Sequence, residues 1–250
     1  MRATPVKRRA GLLRRGARAL LWLVLGALGG ALCLVLALRW INPPTSAFML
    51  GTRIAALVAG DHRYQTHYQW VDLERISPQA ALAVIASEDQ LFPFHTGFDF
   101  KSIREAVRHN AAGQRVHGAS TISQQVAKNL FLWSGRSYFR KGLEAGFTLL
   151  IEWCWPKERI LEVYLNIAEF GRGVYGVQAA AQHFFHEDAR RLNRADSALL
   201  AAVLPNPRRY RVEAPSHYVL SRRDWIGAQM ADLGGTTYLN RIEADARRRP

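Results

Sequence analysis

The chain has 250 residues, 49% of them hydrophobic, and a formal charge of +14, which excludes a disordered tail and leaves ample length to bury a core. The positive balance points to anionic partners: nucleic acid, membrane phosphates or a phosphorylated substrate. Cys33 and Cys154 are the only cysteines, and Cys33 falls inside an apolar run, so an intramolecular disulfide is disfavoured and cysteine usage leaves the compartment open.

Residues 19–38, ALLWLVLGALGGALCLVLAL, carry no charge and have the length a helix needs to cross a bilayer. Arg2, Lys7, Arg8, Arg9, Arg14, Arg15 and Arg18 precede this run, and no acid comes before Asp61. By the positive-inside bias the N-terminus stays in the cytoplasm and the rest is exported. A cleaved signal peptide is the competing reading. The apolar region is long for one and ends in LRWINPPT rather than a small-x-small site, so an uncleaved anchor is preferred. The predicted organisation is a basic cytoplasmic arm at 1–18, a transmembrane signal-anchor helix at 19–41 and an exported domain at 42–250. Gly26 and Gly30 form a GxxxG that can pack two spans, although single glycines are common in membrane helices.

Pro43 and Pro44 break the helix, an apolar stretch follows at 48–59, and DHRYQTHYQW is polar. From Ser77 onward the pattern is helical. Ser77 is an N-cap with Pro78 in the first turn, and periodicity predicts further helices at about 100–111, 121–133, 137–154, 158–167, 174–184, 194–203 and 218–232. No strand alternation of useful length and no internal repeat is visible, so the fold class is mainly α.

Ala81, Val84, Ile85 and Glu88 stand at i, i+3, i+4 and i+7, which puts Glu88 on an apolar helical stripe and half buries it. Desolvation raises the pKa of such a carboxylate, suiting it to general acid or base work. The plainer account is that Glu88 and Asp89 end a helix in solvent or pair with an arginine. In HGASTISQQVAKNLFL, Thr121 and Gln124 form a capping box, and Thr121, Gln125 and Lys128 share one helical face. A helix N-terminus with hydroxyl, amide and ammonium groups on one side can cradle phosphate, and Arg136 extends it. A capped amphipathic helix with a solvated polar face would look the same.

In RSYFRKGLEAGFTLLIEW, Arg140 and Glu144 are four apart and can simply pair, or Glu144 is a second active-site carboxylate. GRGVYG at 171–176 fits GxGxxG but follows a helical pattern instead of a strand, so the dinucleotide reading fails on context and the segment is a backbone turn. His183, His186 and Glu187 lack ligand spacing, and no metal site is predicted.

The segments SEDQLFPFHTGFD, GASTISQQVAKNLFL, RKGLE, ILEVYLNIAEFGRGVYGVQAAAQHFF and ALLAAVLPNP, in this order and spacing, resemble the peptidoglycan glycosyltransferase family, specifically its monofunctional biosynthetic transglycosylases. The resemblance spans roughly 48–230, and several extended motifs in order are far more specific than one short pattern. The S-x-x-K and K-T-G marks of a penicillin-binding transpeptidase domain do not occur.

The resemblance implies a lysozyme-like helical domain that polymerises lipid II on the outer side of the inner membrane, releasing undecaprenyl pyrophosphate. It implies Glu88 as the base on the acceptor 4-hydroxyl, with inversion at the donor's anomeric carbon, and places Asp89, Phe92 and His95 around it. Lys128 and Arg136 match positions that bind the donor pyrophosphate, and Thr121, Gln125 and Asn129 match positions near substrate. Arg140 and Lys141 add positive charge, and Glu144 matches the family's second important glutamate: a further catalytic group, an orienter of those two cations, or a metal contact. Mg²⁺ or Mn²⁺ accompanies the pyrophosphate, which needs no protein ligand motif. The implied partners are lipid II, the growing lipid-linked strand, the membrane and other cell-wall synthesis proteins; the oligomeric state is left open. Lipid tails meet the 48–59 stretch, and tethering enzyme and substrates to one plane helps hold them in register.

Two other classes compete. A lysozyme-like glycan-cleaving enzyme would share Glu88, but it needs a proton for the leaving oxygen and no pyrophosphate cradle. A membrane-anchored non-catalytic binder, of nucleic acid for instance, would use the charge, yet much of it lies before residue 19 and no nucleic-acid motif is present.

Overall fold

A computed structural model describes residues 6–101, 104 and 120–246, with side chains described between 14 and 243. Two units separate, Met1–Ile41 and Asn42–Pro250.

The first unit is one helix, α1 (Val6–Leu38). Within it Arg14–Leu38 is long and apolar enough to cross a membrane, and at 1.5 Å per residue it reaches about 37 Å. Leu20, Trp22 and Leu23 expose their side chains along it.

The second unit is mainly helical. Its helices are α2 (Ala47–Val58), α3 (Pro78–Glu88), α4 (Ile122–Phe131), α5 (Tyr138–Cys154), α6 (Lys157–Ile167), α7 (Val177–Phe185), α8 (Arg194–Val203), α9 (His217–Asp232) and α10 (Asn240–Ala246). Side-chain caps set their starts: Ser46, Ser77, Thr121, Ser137, Asn193 and Ser216 each accept a backbone N–H from the first turn, satisfying donors a helix otherwise leaves bare. In α3, Ala80 through Ala86 are all buried, because the helix packs on both α8 and α9. In the same way α4 lies against α5 and α6. The joint between these groups is Asp89, just past α3, whose Oδ2 accepts from the first amide of α4, Ile122 N, at 2.9 Å. A carboxylate there also meets the positive end of the helix dipole.

The structure departs from the periodicity in three places. Residues 48–59 are most of a capped helix, α2. Residues 174–175 are a strand: β1 (His67–Tyr68), β2 (Glu169–Gly171) and β3 (Val174–Tyr175) form a small sheet in the order β1-β3-β2, with β2 antiparallel and β1 parallel to β3. The turn expected from GRGVYG is thus a hairpin, and α7 starts only after Gly176, whose φ is +83°. A Cβ there would lie 2.5 Å from Asn166 O, so glycine is required by both conformation and space. Finally, α4 ends at Phe131 with Leu132 extended, so Arg136 does not continue its face. The helix predicted at 100–111 lies almost wholly outside the described residues.

Candidate active site

Glu88 is the last residue of α3, with its side chain 14% exposed. Its Oε2 accepts from Gln125 Nε2 of α4 at 2.8 Å. Its Oε1 pairs with Arg222 Nη2 of α9 at 3.7 Å, longer than a hydrogen bond. Burial pushes the Glu88 pKa up, against the opposing pull of Gln125, Arg222 and Lys128, and Asp89 adds to the rise. A carboxylate in this state is ready to take a proton and is held by one firm hydrogen bond.

Asp89 and His95 form a brace. The Asp89 oxygens both lie 2.9 Å from His95 Nε2, while His95 Nδ1 accepts from Gly97 N at 3.1 Å. Nδ1 is therefore the bare nitrogen and Nε2 carries the proton donated to Asp89. Phe92, fully buried, stands edge-on to His95 at 6.2 Å. Thr121 is spent on structure: it is buried, accepts from Gln124 N at 3.2 Å and donates to Gly97 O at 2.7 Å. Asp89, Phe92, His95 and Thr121 therefore fix the two helix ends that hold Glu88 and Gln125.

On the cationic side, burial drives the Lys128 pKa down, with Glu144 and Glu88 opposing and Arg140 and Lys141 assisting. Among the described residues Lys128 has no ion pair; its Nζ sits 5.5 Å from the Phe48 ring centre. Next to it in sequence, the buried Oδ1 of Asn129 has no hydrogen-bond partner. Buried Glu144 takes Arg140 Nη1 on Oε2 at 3.0 Å and Lys141 Nζ on Oε1, so both carboxylate oxygens are engaged by cations. Arg136 lies exposed between α4 and α5.

A protein-held metal does not fit this donor set. Glu144 is occupied by two cations, and no group of three His, Cys, Asp or Glu among the described residues could hold an ion. His183 instead packs against His67 and Phe184.

Sequence reasoning passed over two residues and one buried ion pair. Arg222 comes from a helix read only for its period. Tyr164 of α6 donates to Gln125 Oε1 at 3.3 Å; as one more hydrophobic position in ILEVYLNI it gave no separate signal. Lys157 and Glu152 form a buried pair at 2.7 Å, joined by Ser123 of α4, with Lys157 Nζ 4.5 Å from the Phe92 ring centre. Pairing a lysine with a carboxylate across the Trp155-Pro156 break needs the fold.

The family model described as Transglycosylase matches residues 53–231, a range that runs from before Glu88 to beyond Arg222. The chain is also similar to curated proteins named biosynthetic peptidoglycan transglycosylase. One, from Xanthomonas campestris pv. campestris (strain B100), is 53% identical over 229 residues, 90% of this chain and 93% of the relative. Another, from Escherichia coli (Crooks strain), is 58% identical over 203 residues, 81% of this chain and 84% of the relative. With a family match over most of its length and relatives this similar across nearly their whole length, the chain belongs to the transglycosylase family.

Proposed function

We propose that the protein is a monofunctional peptidoglycan glycosyltransferase of cell-wall synthesis, which polymerises lipid II into glycan strands. The observation that carries this reading is a buried carboxylate, Glu88, hydrogen-bonded on one oxygen by Gln125 and only loosely paired with Arg222 on the other, within the field of a desolvated lysine, Lys128, that has no ion pair among the described residues.

The chemistry needs that pairing. A sugar hydroxyl is a poor nucleophile until its proton is removed, and Glu88 Oε1 takes the proton of the acceptor 4-hydroxyl. The oxygen attacks the donor's anomeric carbon from the face opposite pyrophosphate, which departs with the bonding pair and leaves the configuration inverted. Lys128 and Arg136 neutralise the departing charge, and an ammonium already out of water does so strongly. Arg140 and Lys141, held by Glu144, raise the positive potential alongside. Gln125 keeps Glu88 oriented, and Asn129 Oδ1 offers a buried acceptor to a substrate hydroxyl or amide. Mg²⁺ or Mn²⁺ would enter on the substrate's own pyrophosphate, and no step here runs through it. Because Glu144 is saturated by cations, its role is to orient them.

The anchor reading follows from α1 and the seven cations before residue 19: the protein sits in the cytoplasmic membrane with its N-terminus inside and residues 42–250 on the periplasmic side.

Incubating the detergent-solubilised full chain with labelled lipid II and Mg²⁺ or Mn²⁺ tests the reaction. The expected product is lysozyme-sensitive polymer from wild type and at least about 10²-fold less from Glu88→Gln. No polymer, with shortening of preformed glycan strands, would assign the chain to glycan cleavage instead.

A further inference from the structure

Glycosyl transfer as described gives the buried hydroxyl of Tyr164 no role. Tyr164 is 1% exposed and its OH donates to Gln125 Oε1 at 3.3 Å, while Gln125 Nε2 donates to Glu88 Oε2 at 2.8 Å. We propose that Tyr164 is a positioning residue for glycosyl transfer: by holding Gln125 Oε1 it fixes which end of the amide faces Glu88, and so keeps the base ionised with Oε1 turned to the acceptor hydroxyl. This rests on Glu88 being the base.

The physical reason lies in the asymmetry of an amide. Its NH₂ end donates to a carboxylate, whereas its oxygen repels a carboxylate and accepts from a protonated carboxyl. A Gln125 free to turn over would present oxygen to Glu88 as soon as the base took a proton, and would stabilise the spent form. With Tyr164 in place, turning would set NH₂ against the phenol and strip the phenol proton of its acceptor, which is costly in a buried site. Tyr164 stays a donor throughout, because burial, then Glu88 and Asp89, push its pKa well above the ordinary value.

The charged groups that act on Glu88 are Asp89, just past α3, Lys128 on α4 and Arg222 on α9; behind them, His95 braces Asp89, and Arg140, Lys141 and Glu144 of α5 act on Lys128. All of these survive Tyr164→Phe, so a shift on removing one hydroxyl reports the amide and not the field.

The experiment measures the pH dependence of lipid II polymerisation for wild type, Tyr164→Phe, Gln125→Ala and the double variant. Alongside, the Glu88 carboxyl band is titrated by infrared difference spectroscopy without substrate, Glu88→Gln identifying the band. In Tyr164→Phe the acidic limb of kcat should move up by about 0.5–1 pH, with KM for lipid II within about twofold, and the carboxyl band should move equally. Adding Tyr164→Phe to Gln125→Ala should change neither further. An unmoved limb and band, or effects that add in the double variant, would overturn the assignment and leave Tyr164 a packing residue. Should Tyr164→Phe not purify folded, 3-fluorotyrosine at 164 keeps the shape and strengthens the donor; the limb then moves down, and no movement overturns the proposal. If wild type forms no polymer, Glu88 is not a glycosyltransferase base, and the substrate-free band alone decides whether Tyr164 governs its ionisation.

Discussion

A carboxylate at Glu88 can take a proton only when ionised, and its raised pKa has a cost in stability with a definite sign. The folded chain holds this proton more tightly than the unfolded chain, whose glutamates titrate near 4.3. The stabilisation is complete below that value and is lost as pH rises through the higher folded pKa. Glu88→Gln should therefore lower polymerisation by about 10²–10⁴-fold, yet melt no lower than wild type at neutral pH, its advantage shrinking as pH falls toward 4; calorimetry across pH checks this. Lys128 has the mirrored problem, an ammonium disfavoured by burial. Lys128→Ala should cut kcat/KM for lipid II by about 10²–10³-fold without lowering Tm, whereas a residue that merely supports the fold would lose both together. The half burial of Glu88 was legible in the i, i+3, i+4, i+7 stripe, and Thr121 declared itself through its capping box. Tyr164 was not legible, because nothing in ILEVYLNI separates a tyrosine that packs from one that also donates across to a neighbouring helix.

Helices α4, α5 and α6 meet around one buried ion pair. Lys157 is 1% exposed at the start of α6; Glu152 lies near the end of α5, and Ser123 of α4 donates to the same carboxylate. Removing one partner strands the other charge away from water, so Lys157→Ala should cost about 3–5 kcal/mol. Lys157→Met paired with Glu152→Gln should restore much of that, as read by urea unfolding. Because Lys157 also rests on Phe92, the single variant should loosen the His95 brace and lower activity along with stability, unlike Lys128→Ala. At this scale the sequence was readable where a cap and a 3.6 period coincide, as in α3, α5, α8 and α9. It misled where a local pattern was overruled by pairing: Val174 and Tyr175 fit a helix but pair with β1 and β2, and Gly176 then restarts the chain. It also carried the helix of Lys128 too far, since Leu132 is already extended and Arg136 lies outside α4.

The molecule as a whole divides its charge and its apolar surface in the same way. Residues 1–41 hold eight of the cations and no acid, which leaves +6 on the rest. Yet the second unit carries lipid-compatible surface of its own on α2, where Met49 is buried while Leu50, Ile54, Leu57 and Val58 stand exposed. A helix with one apolar face in solvent, on a positively charged domain, has the make-up of an interfacial element. The second unit should then bind bilayers on its own. A chain beginning at Asn42 should co-sediment with vesicles containing anionic lipid, and partly release in high salt as the charges are screened. Replacing both Ile54 and Leu57 by serine removes side chains that each contribute about 1.5–3 kcal/mol when fully buried. Retention should fall by at least about tenfold, while Tm stays within a degree or two because neither side chain packs in the fold. Equal retention of the two chains would mean that charge alone holds the domain to the surface, and the apolar face of α2 would need a protein partner rather than lipid.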